Sequence, residues 1–361
     1  MTEPAMMANN QPATDELGPV VLEARNLHKD YKLGRGRRAA VLSAVRDVSL
    51  QLRRSSVVAL VGESGSGKST VAKLLAGQEH PTSGEVLLDG QTVHHSGRRG
   101  FRAYKSEVQM VFQDPFASLN PTHRVSYPLE RAVRLHRSEL GRDGVAQELI
   151  RLMDEVRLSP AKEFLQRYPH QLSGGQRQRV SIARALAVKP RVLLADEPVS
   201  MLDVSIRLEV LDVIDQLRER FELAVLYITH DIASARYFAT ETLVMYAGEI
   251  VERGPSEELS QEPAHPYTQL LLAAAPDPDR LGAPIDERLA RSARLAGSAP
   301  VNTVGCRFSD RCPFADDHCR AESPPLQAID EQRSAACWRL DLAAPNLVQR
   351  QREERSVVLP Q

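Results

Sequence analysis

Gly62-Glu-Ser-Gly-Ser-Gly-Lys-Ser69, entered from the apolar run Val57–Val61 and continued by Thr70, decides how this chain is read. The string has the form G-x-x-x-x-G-K-S between a strand and a helix. Glycines let such a loop turn tightly and aim successive N–H groups at phosphate oxygens, while Lys68 adds charge and Ser69 an oxygen for Mg²⁺. Gly62, Glu63, Ser64, Gly65, Ser66, Gly67, Lys68, Ser69 and Thr70 thus form a nucleotide cradle. The positive end of the helix that begins there adds to its hold on phosphate. Alone, the cradle says only that a nucleoside triphosphate is bound.

Working outward, four further signals appear in a fixed order. Gln113 follows the strand Val108–Phe112, and Leu-Ser-Gly-Gly-Gln occupies 172–176. Val-Leu-Leu-Ala-Asp-Glu occupies 192–197, and His230 follows the strand Ala224–Thr229. Asp196, at the end of an apolar strand, suits a carboxylate that reaches Mg²⁺ through water. Ser173 and the glycines after it open a second helix and hence a second anion-binding N-terminus. Cradle and second N-terminus lie on different parts of the chain, a clue to assembly.

This series resembles the ATP-binding cassette ATPases of ABC transporters. The resemblance implies an α/β fold: a P-loop NTPase (RecA-like) core with an inserted helical subdomain and a Cys-containing C-terminal extension. It implies ATP and Mg²⁺ as cofactors, with Ser69 and Gln113 at the metal. Glu197 takes the place of the catalytic carboxylate that activates the attacking water, Gln113 contacts that water, and His230 contacts the γ-phosphate. Tyr31, in His-Lys-Asp-Tyr-Lys (28–32), stands where an aromatic side chain stacks on adenine. Ser173, Gly174, Gly175 and Gln176 would complete the site of the opposite subunit in a head-to-tail dimer, with Asp203 in the loop that crosses to it. Met201, where the family more often has Ala, departs from the pattern, as does Arg-Ser-Ser at 54–56.

The chain has 361 residues, is 42% hydrophobic and 26% charged, and carries a formal net charge of −1. No overall electrostatic pull toward nucleic acid follows from that balance. Apolar runs such as Val57–Val61 and Leu270–Ala275 fall far short of the roughly 20 residues that span a bilayer, so a membrane role would be peripheral. Residues 1–18 are polar and lack the apolar core of a secretion signal. Four regions are expected: a disordered tail over 1–18, an ATP-binding domain over 19–256, a C-terminal extension over 257–340 and a tail over 341–361. Within the second, strands are expected at 20–27 and 41–52, flanking a basic loop at Arg35–Arg38. Helices over about 114–188 form the inserted subdomain, followed by a helix at Val204–Phe221. Leu243–Tyr246 and Glu249–Glu252 are expected to close a largely parallel sheet.

Two regions narrow the branch. One is Val111-Phe-Gln-Asp-Pro-Phe-Ala-Ser-Leu-Asn-Pro together with Asp196-Glu-Pro-Val-Ser-Met-Leu-Asp-Val-Ser-Ile. The other joins His265-Pro-Tyr-Thr-Gln-Leu-Leu-Leu to Gly305-Cys-Arg-Phe-Ser-Asp-Arg-Cys. They resemble the dipeptide/oligopeptide/nickel importer ATPases. That likeness implies a second ATPase subunit, two transmembrane permeases, an extracytoplasmic peptide-binding protein, and a peripheral place on the cytoplasmic face of the inner membrane. Alternative readings are the ATPase of a nickel or glutathione importer, or a soluble non-transport cassette. Cys306, Cys312, Cys319 and Cys337 are spaced x5, x6 and x17. Four such thiols suit an iron–sulfur cluster, tetrahedral zinc, or metal-free packing, and the spacing does not choose among them. Resemblance to the importer group favours a 4Fe–4S cluster. Cradle and cysteines are expected to be independent, so that cysteine substitutions spare ATP binding.

Overall fold

Every residue of Val57–Val61 is buried, as in a strand covered on both faces. Its alternate side chains serve two separate cores: Val57, Ala59 and Val61 face one cluster, Val58 and Leu60 the other. A computed structural model of the chain describes residues 18–34, 40–94, 98–274 and 301–347. Of the expected tails 1–18 and 341–361, residues 1–17 and 348–361 lie outside the described residues, as do the loop Arg35–Arg38 and the stretch 275–300 of the extension, whereas 341–347 are folded.

The strands are β1 (Val20–Leu33), β2 (Ala40–Arg53), β3 (Val57–Val61), β4 (Ser83–Leu88), β5 (Gln91–Thr92) and β6 (Val108–Val111), then β7 (Val192–Asp196), β8 (Ala224–Thr229), β9 (Glu241–Tyr246), β10 (Glu249–Pro255), β11 (Gln327–Ala328) and β12 (Ser334–Ala335). They form two sheets, ordered β2-β1-β4-β5 and β11-β12-β10-β9-β3-β8-β7-β6. β1 and β2 run longer than the sequence suggests, because their ladder extends from Val20↔Arg53 to Leu33↔Ala40 through several register shifts. Residues 28–32, polar and charged, give no alternation that would reveal this. The antiparallel sheet and the helix Lys68–Leu75 cover one face of the larger sheet, through Leu22, Leu50, Val71 and Leu75.

On the other face packs the helix Gly174–Leu186, and Ser126–His136, Arg142–Glu155 and Ala161–Gln166 stack on it and on one another; all four lie in sequence between the neighbouring strands β6 and β7. The helix Val204–Phe221 joins this side through Val210 and Ile214. The centre of the sheet is parallel: β9 with β3, β3 with β8, β8 with β7 and β7 with β6. Val61 is level with Thr229, Asp196 with Ile228, and Val111 with Ala195. Cradle, Asp196–Glu197, His230 and Gln113 therefore all emerge at the carboxyl edge, where open α/β sheets bind ligands.

The expectation that β10 closes the sheet is corrected. β12 pairs with β10 at Glu252↔Ala335 and Arg253↔Ser334, and β11 pairs with β12. Packing of Ala343, Ala344 and Leu347 carries the folded extension to the last described residues.

Candidate functional site

The cradle has no room for side chains at its two glycine hinges. A Cβ on Gly62 would lie 2.2 Å from the Met245 carbonyl oxygen, and one on Gly67 2.2 Å from that of Ala44. Gly67 also has φ of +108°, a conformation that favours glycine. It stands at the N-cap of Lys68–Leu75 with no side chain to cap that helix, so the first N–H groups remain for a ligand. Ser64 and Gly65 are exposed, Thr70 half-buried, and Ser66 buried with its carbonyl accepting from Gly248 N–H at 2.9 Å. The Lys68 ammonium donates to the carbonyls of Gly62 (2.6 Å) and Glu63 (2.8 Å). Burial lowers its pKa, opposed by the carboxylates of Glu197, Asp196 and Glu63.

At the end of β7, Ser69 Oγ lies 3.1 Å from Asp196 Oδ1. A hydroxyl beside a buried carboxylate fits Mg²⁺, which takes oxygen ligands and keeps several waters. Burial raises the Asp196 pKa, while the hydrogen bond from Ser69 opposes that rise. Glu197 turns sharply out of the strand with φ of +45°, its N–H held by Ile228 O at 2.9 Å. That turn carries its carboxylate to Gln113 and His230: Oε2 is 2.9 Å from Gln113 Nε2 and 3.4 Å from His230 Nδ1. Three residues distant in sequence thus meet beside Lys68, Ser69 and Asp196.

The remaining candidates stand elsewhere. Ser173 caps Gly174–Leu186, its Oγ accepting from Gln176 N–H while Gln176 Oε1 accepts from Ser173 N–H. This reciprocal pair is a capping box. Gly175 is tightly packed, since a Cβ there would lie 2.5 Å from Ile206 Cγ2. Asp203 is exposed at the N-cap of Val204–Phe221. Tyr31 is half-buried, with Lys29 Nζ 5.1 Å from its ring centroid.

Two residues that sequence reasoning missed reach the cradle from the extension. Tyr267 Oη accepts the N–H of Glu63 at 2.7 Å. Arg311 grips both carboxylate oxygens of Glu63, at 2.9 and 3.0 Å. Both lie within strings already quoted, but no periodicity links positions 248 residues apart. The expected independence of cradle and cysteines is therefore not what the structure has, because Arg311 belongs to the loop between Cys306 and Cys312.

The four cysteines are not disulfide-bonded; Cys319 and Cys337 are buried and the others partly so. Cys306 N–H donates to Cys319 O at 2.8 Å. Burial pushes the thiols up, Cys306 to about 11 and Cys312 and Cys337 to about 12, with neighbouring thiols adding to each. Cys319 shifts the same way. Cys306 and Cys319 are thus neighbours. Among the described residues, however, no group of three or more His, Cys, Asp or Glu side chains is arranged to hold a metal ion.

Residues 45–200 match the ABC transporter family, and residues 251–319 match the oligopeptide/dipeptide transporter C-terminal region. The di/tripeptide transport ATP-binding protein DppF of Pseudomonas aeruginosa is 41% identical over 88% of this chain and 97% of its own length. The chain belongs to the oligopeptide/dipeptide branch of ABC transporter ATP-binding subunits. The dipeptide transport ATP-binding protein DppF of Haemophilus influenzae is 37% identical, over 89% of this chain and 97% of that one. A solved dimeric, post-hydrolysis ATP-binding cassette with ADP and phosphate matches at a TM-score of 0.58 and 28% identity, covering 65% of this chain and 98% of its own. As a member of this branch, the chain is an ATPase with a P-loop NTPase core. No helix among the described residues is long and apolar enough to cross a membrane.

Proposed function

We propose that this ABC ATPase powers the import of di- and oligopeptides, acting as one of two cassettes beneath two transmembrane permeases on the cytoplasmic face of the membrane. An extracytoplasmic binding protein would deliver the peptide. The names of the relatives and the match of the C-terminal region to peptide transporters support the cargo. The engine rests on one observation, the meeting of Gln113, Glu197 and His230 next to Lys68, Ser69 and Asp196.

The cradle residues 62–70 hold the β- and γ-phosphates, and Lys68 leaves the carbonyls of Gly62 and Glu63 to meet them. Mg²⁺, held by Ser69 and Gln113 and by Asp196 through water, would neutralise charge developing on the phosphates. Glu197 orients the attacking water and accepts its proton, Gln113 holds that water in line, and His230 donates to the γ-phosphate. Positioning and charge stabilisation supply most of the acceleration in phosphoryl transfer. Tyr31 stacks on the adenine. Ser173, Gly174, Gly175 and Gln176 cap the γ-phosphate of the opposite cassette, and Asp203 lies at that interface. ATP thereby closes the dimer, and hydrolysis reopens it.

A groove of about 540 Å³ on the helical side offers a seat for a permease. Its lining includes Asn120, His123, Tyr127, Arg131 and Leu135, in the helical segment that follows Gln113. We also assign the region beyond about residue 256 to a C-terminal extension whose four thiols, two buried and two partly so, would ligate a 4Fe–4S cluster. Ligation would hold them deprotonated and cross-link the extension. Iron and acid-labile sulfide absent from anaerobically purified protein would remove the cluster.

The import reading is tested by uptake of labelled dipeptides and oligopeptides in cells with and without this chain. Loss of uptake on deletion, restored by the wild type but not by Glu197→Gln, is expected. Unchanged peptide uptake with loss of nickel or glutathione uptake would overturn the assignment.

A further inference from the structure

Glu63 is an awkward residue in a phosphate cradle. It directly follows Gly62, and its carboxylate lies near enough to influence the Lys68 ammonium. Left bare, that negative charge would repel a triphosphate entering the same loop. Both its oxygens are instead taken by Arg311, whose two terminal nitrogens form a fork at 2.9 and 3.0 Å. Such paired contacts combine charge neutralisation with a fixed orientation, and a guanidinium stays protonated at any working pH.

Arg311 is itself tightly held. Its side chain is 4% exposed, and its guanidinium lies 5.7 Å from the Tyr246 ring centroid and 5.4 Å from that of Phe308. Tyr246 and Phe308 meet edge to face at 5.2 Å, and Tyr267 lies 4.6 Å from Tyr246 and 5.5 Å from Phe308. From that aromatic cluster the Tyr267 hydroxyl holds the Glu63 N–H. Backbone turns, Arg311 N–H to Phe308 O at 3.0 Å and Cys312 N–H to Ser309 O at 3.3 Å, shape the loop that carries the guanidinium. The second residue of the cradle is therefore gripped by main chain and side chain alike, and both grips come from the C-terminal extension.

We propose that Arg311 is a positioning residue for ATP binding: it cancels the Glu63 carboxylate and, with Tyr267, fixes the entrance of the phosphate loop, so that the nucleotide affinity of the cassette is set in part by the thiol-bearing loop. The proposal rests on the reading of residues 62–70 as the ATP cradle.

Equilibrium binding of ATP and AMP to the full-length chain, together with steady-state hydrolysis, tests it. Arg311→Ala raises the dissociation constant for ATP at least tenfold and that for AMP much less, and it raises KM more than it lowers kcat. In a Glu63→Gln background the same substitution changes ATP affinity less than threefold. Arg311→Lys, which keeps the charge without the fork, binds ATP more weakly than the wild type but at least threefold more tightly than the alanine variant, and serves if the alanine variant does not fold. Equal losses in both Glu63 backgrounds, equal losses for ATP and AMP, or a lysine variant as weak as the alanine one would each overturn the proposal. Lys68→Ala separates the two levels. If it and the wild type bound ATP equally poorly, the cradle reading would fall, whatever Arg311 does.

Discussion

Glu197 occupies the left-handed region of backbone space, at a cost of about 1–3 kcal/mol for a residue other than glycine. The turn places its carboxylate between Gln113 and His230 rather than along the strand. Replacing it with glutamine keeps the shape and removes the acceptor. Glu197→Gln is expected to lower kcat at least about 100-fold, the order contributed by a positioned base, with ATP affinity within threefold of the wild type in phosphate-release and binding assays. Near-normal turnover would exclude Glu197 from the reaction. At Gly67 the demand is steric and conformational together. Gly67→Ala would force a Cβ into the Ala44 carbonyl, and both ATP binding and the melting temperature are expected to fall. An alanine variant that binds ATP normally would contradict the geometry of the loop.

At the scale of elements, the strength of the sequence signal decided what could be read in advance. The runs Val192–Asp196 and Ala224–Thr229 and the helix Val204–Phe221 stand where their composition and spacing put them. Gln113, Asp196, Glu197 and His230 were singled out by their order in a motif series that resembles a known family, and the structure brings them together at one edge of the sheet. β11 and β12 were not legible, since two-residue strands carry no period. Nor were the roles of Tyr267 and Arg311, because local pattern reports which face is buried but not what it touches. The helix that carries Tyr267, Pro266–Ala274, is anchored at its start by a buried pair of opposite tendency. Glu252 accepts the N–H groups of Ala264 and His265, each at 2.8 Å, and burial pushes its carboxyl up to about 7. His265 Nδ1 accepts from Tyr267 N–H at 3.1 Å, and burial pushes that imidazole down to about 3.

The signs follow from linkage. Stability from His265 is complete above its ordinary value of 6.5 and is lost as pH falls toward 3. Stability from Glu252 is complete below its ordinary value of 4.5 and is lost as pH rises through about 7. The difference in melting temperature between the wild type and His265→Gln is therefore expected to narrow on acidification from about pH 7 to about pH 4. A constant difference across that range would show that His265 is not held neutral. Phe308→Ala, which empties the centre of the aromatic cluster, is expected to cost about 3–5 kcal/mol in the unfolding of this region.

For the whole molecule, the decisive fact is that cradle and capping helix are separate. Ser173 and Gln176 satisfy each other's main-chain groups, and a Cβ added at Gly174 or Gly175 would meet Leu202 or Ile206. Hydrolysis by the purified chain is accordingly expected to rise faster than linearly with protein concentration, with the dilute monomer nearly inert. ATP should drive Glu197→Gln into a dimer detectable by light scattering. Activity strictly proportional to concentration, with no dimer in any state, would remove the shared-site mechanism.

The pairing of β12 with β10 bears on how such proteins can be cut. A truncation near residue 256, the natural choice for a minimal cassette, would bare the outer hydrogen-bonding row of β10 and strip Glu252 of the amides that face it. Exposed strand margins recruit other strands. The shortened fragment would then stick to its own copies and precipitate, for reasons unrelated to nucleotide chemistry.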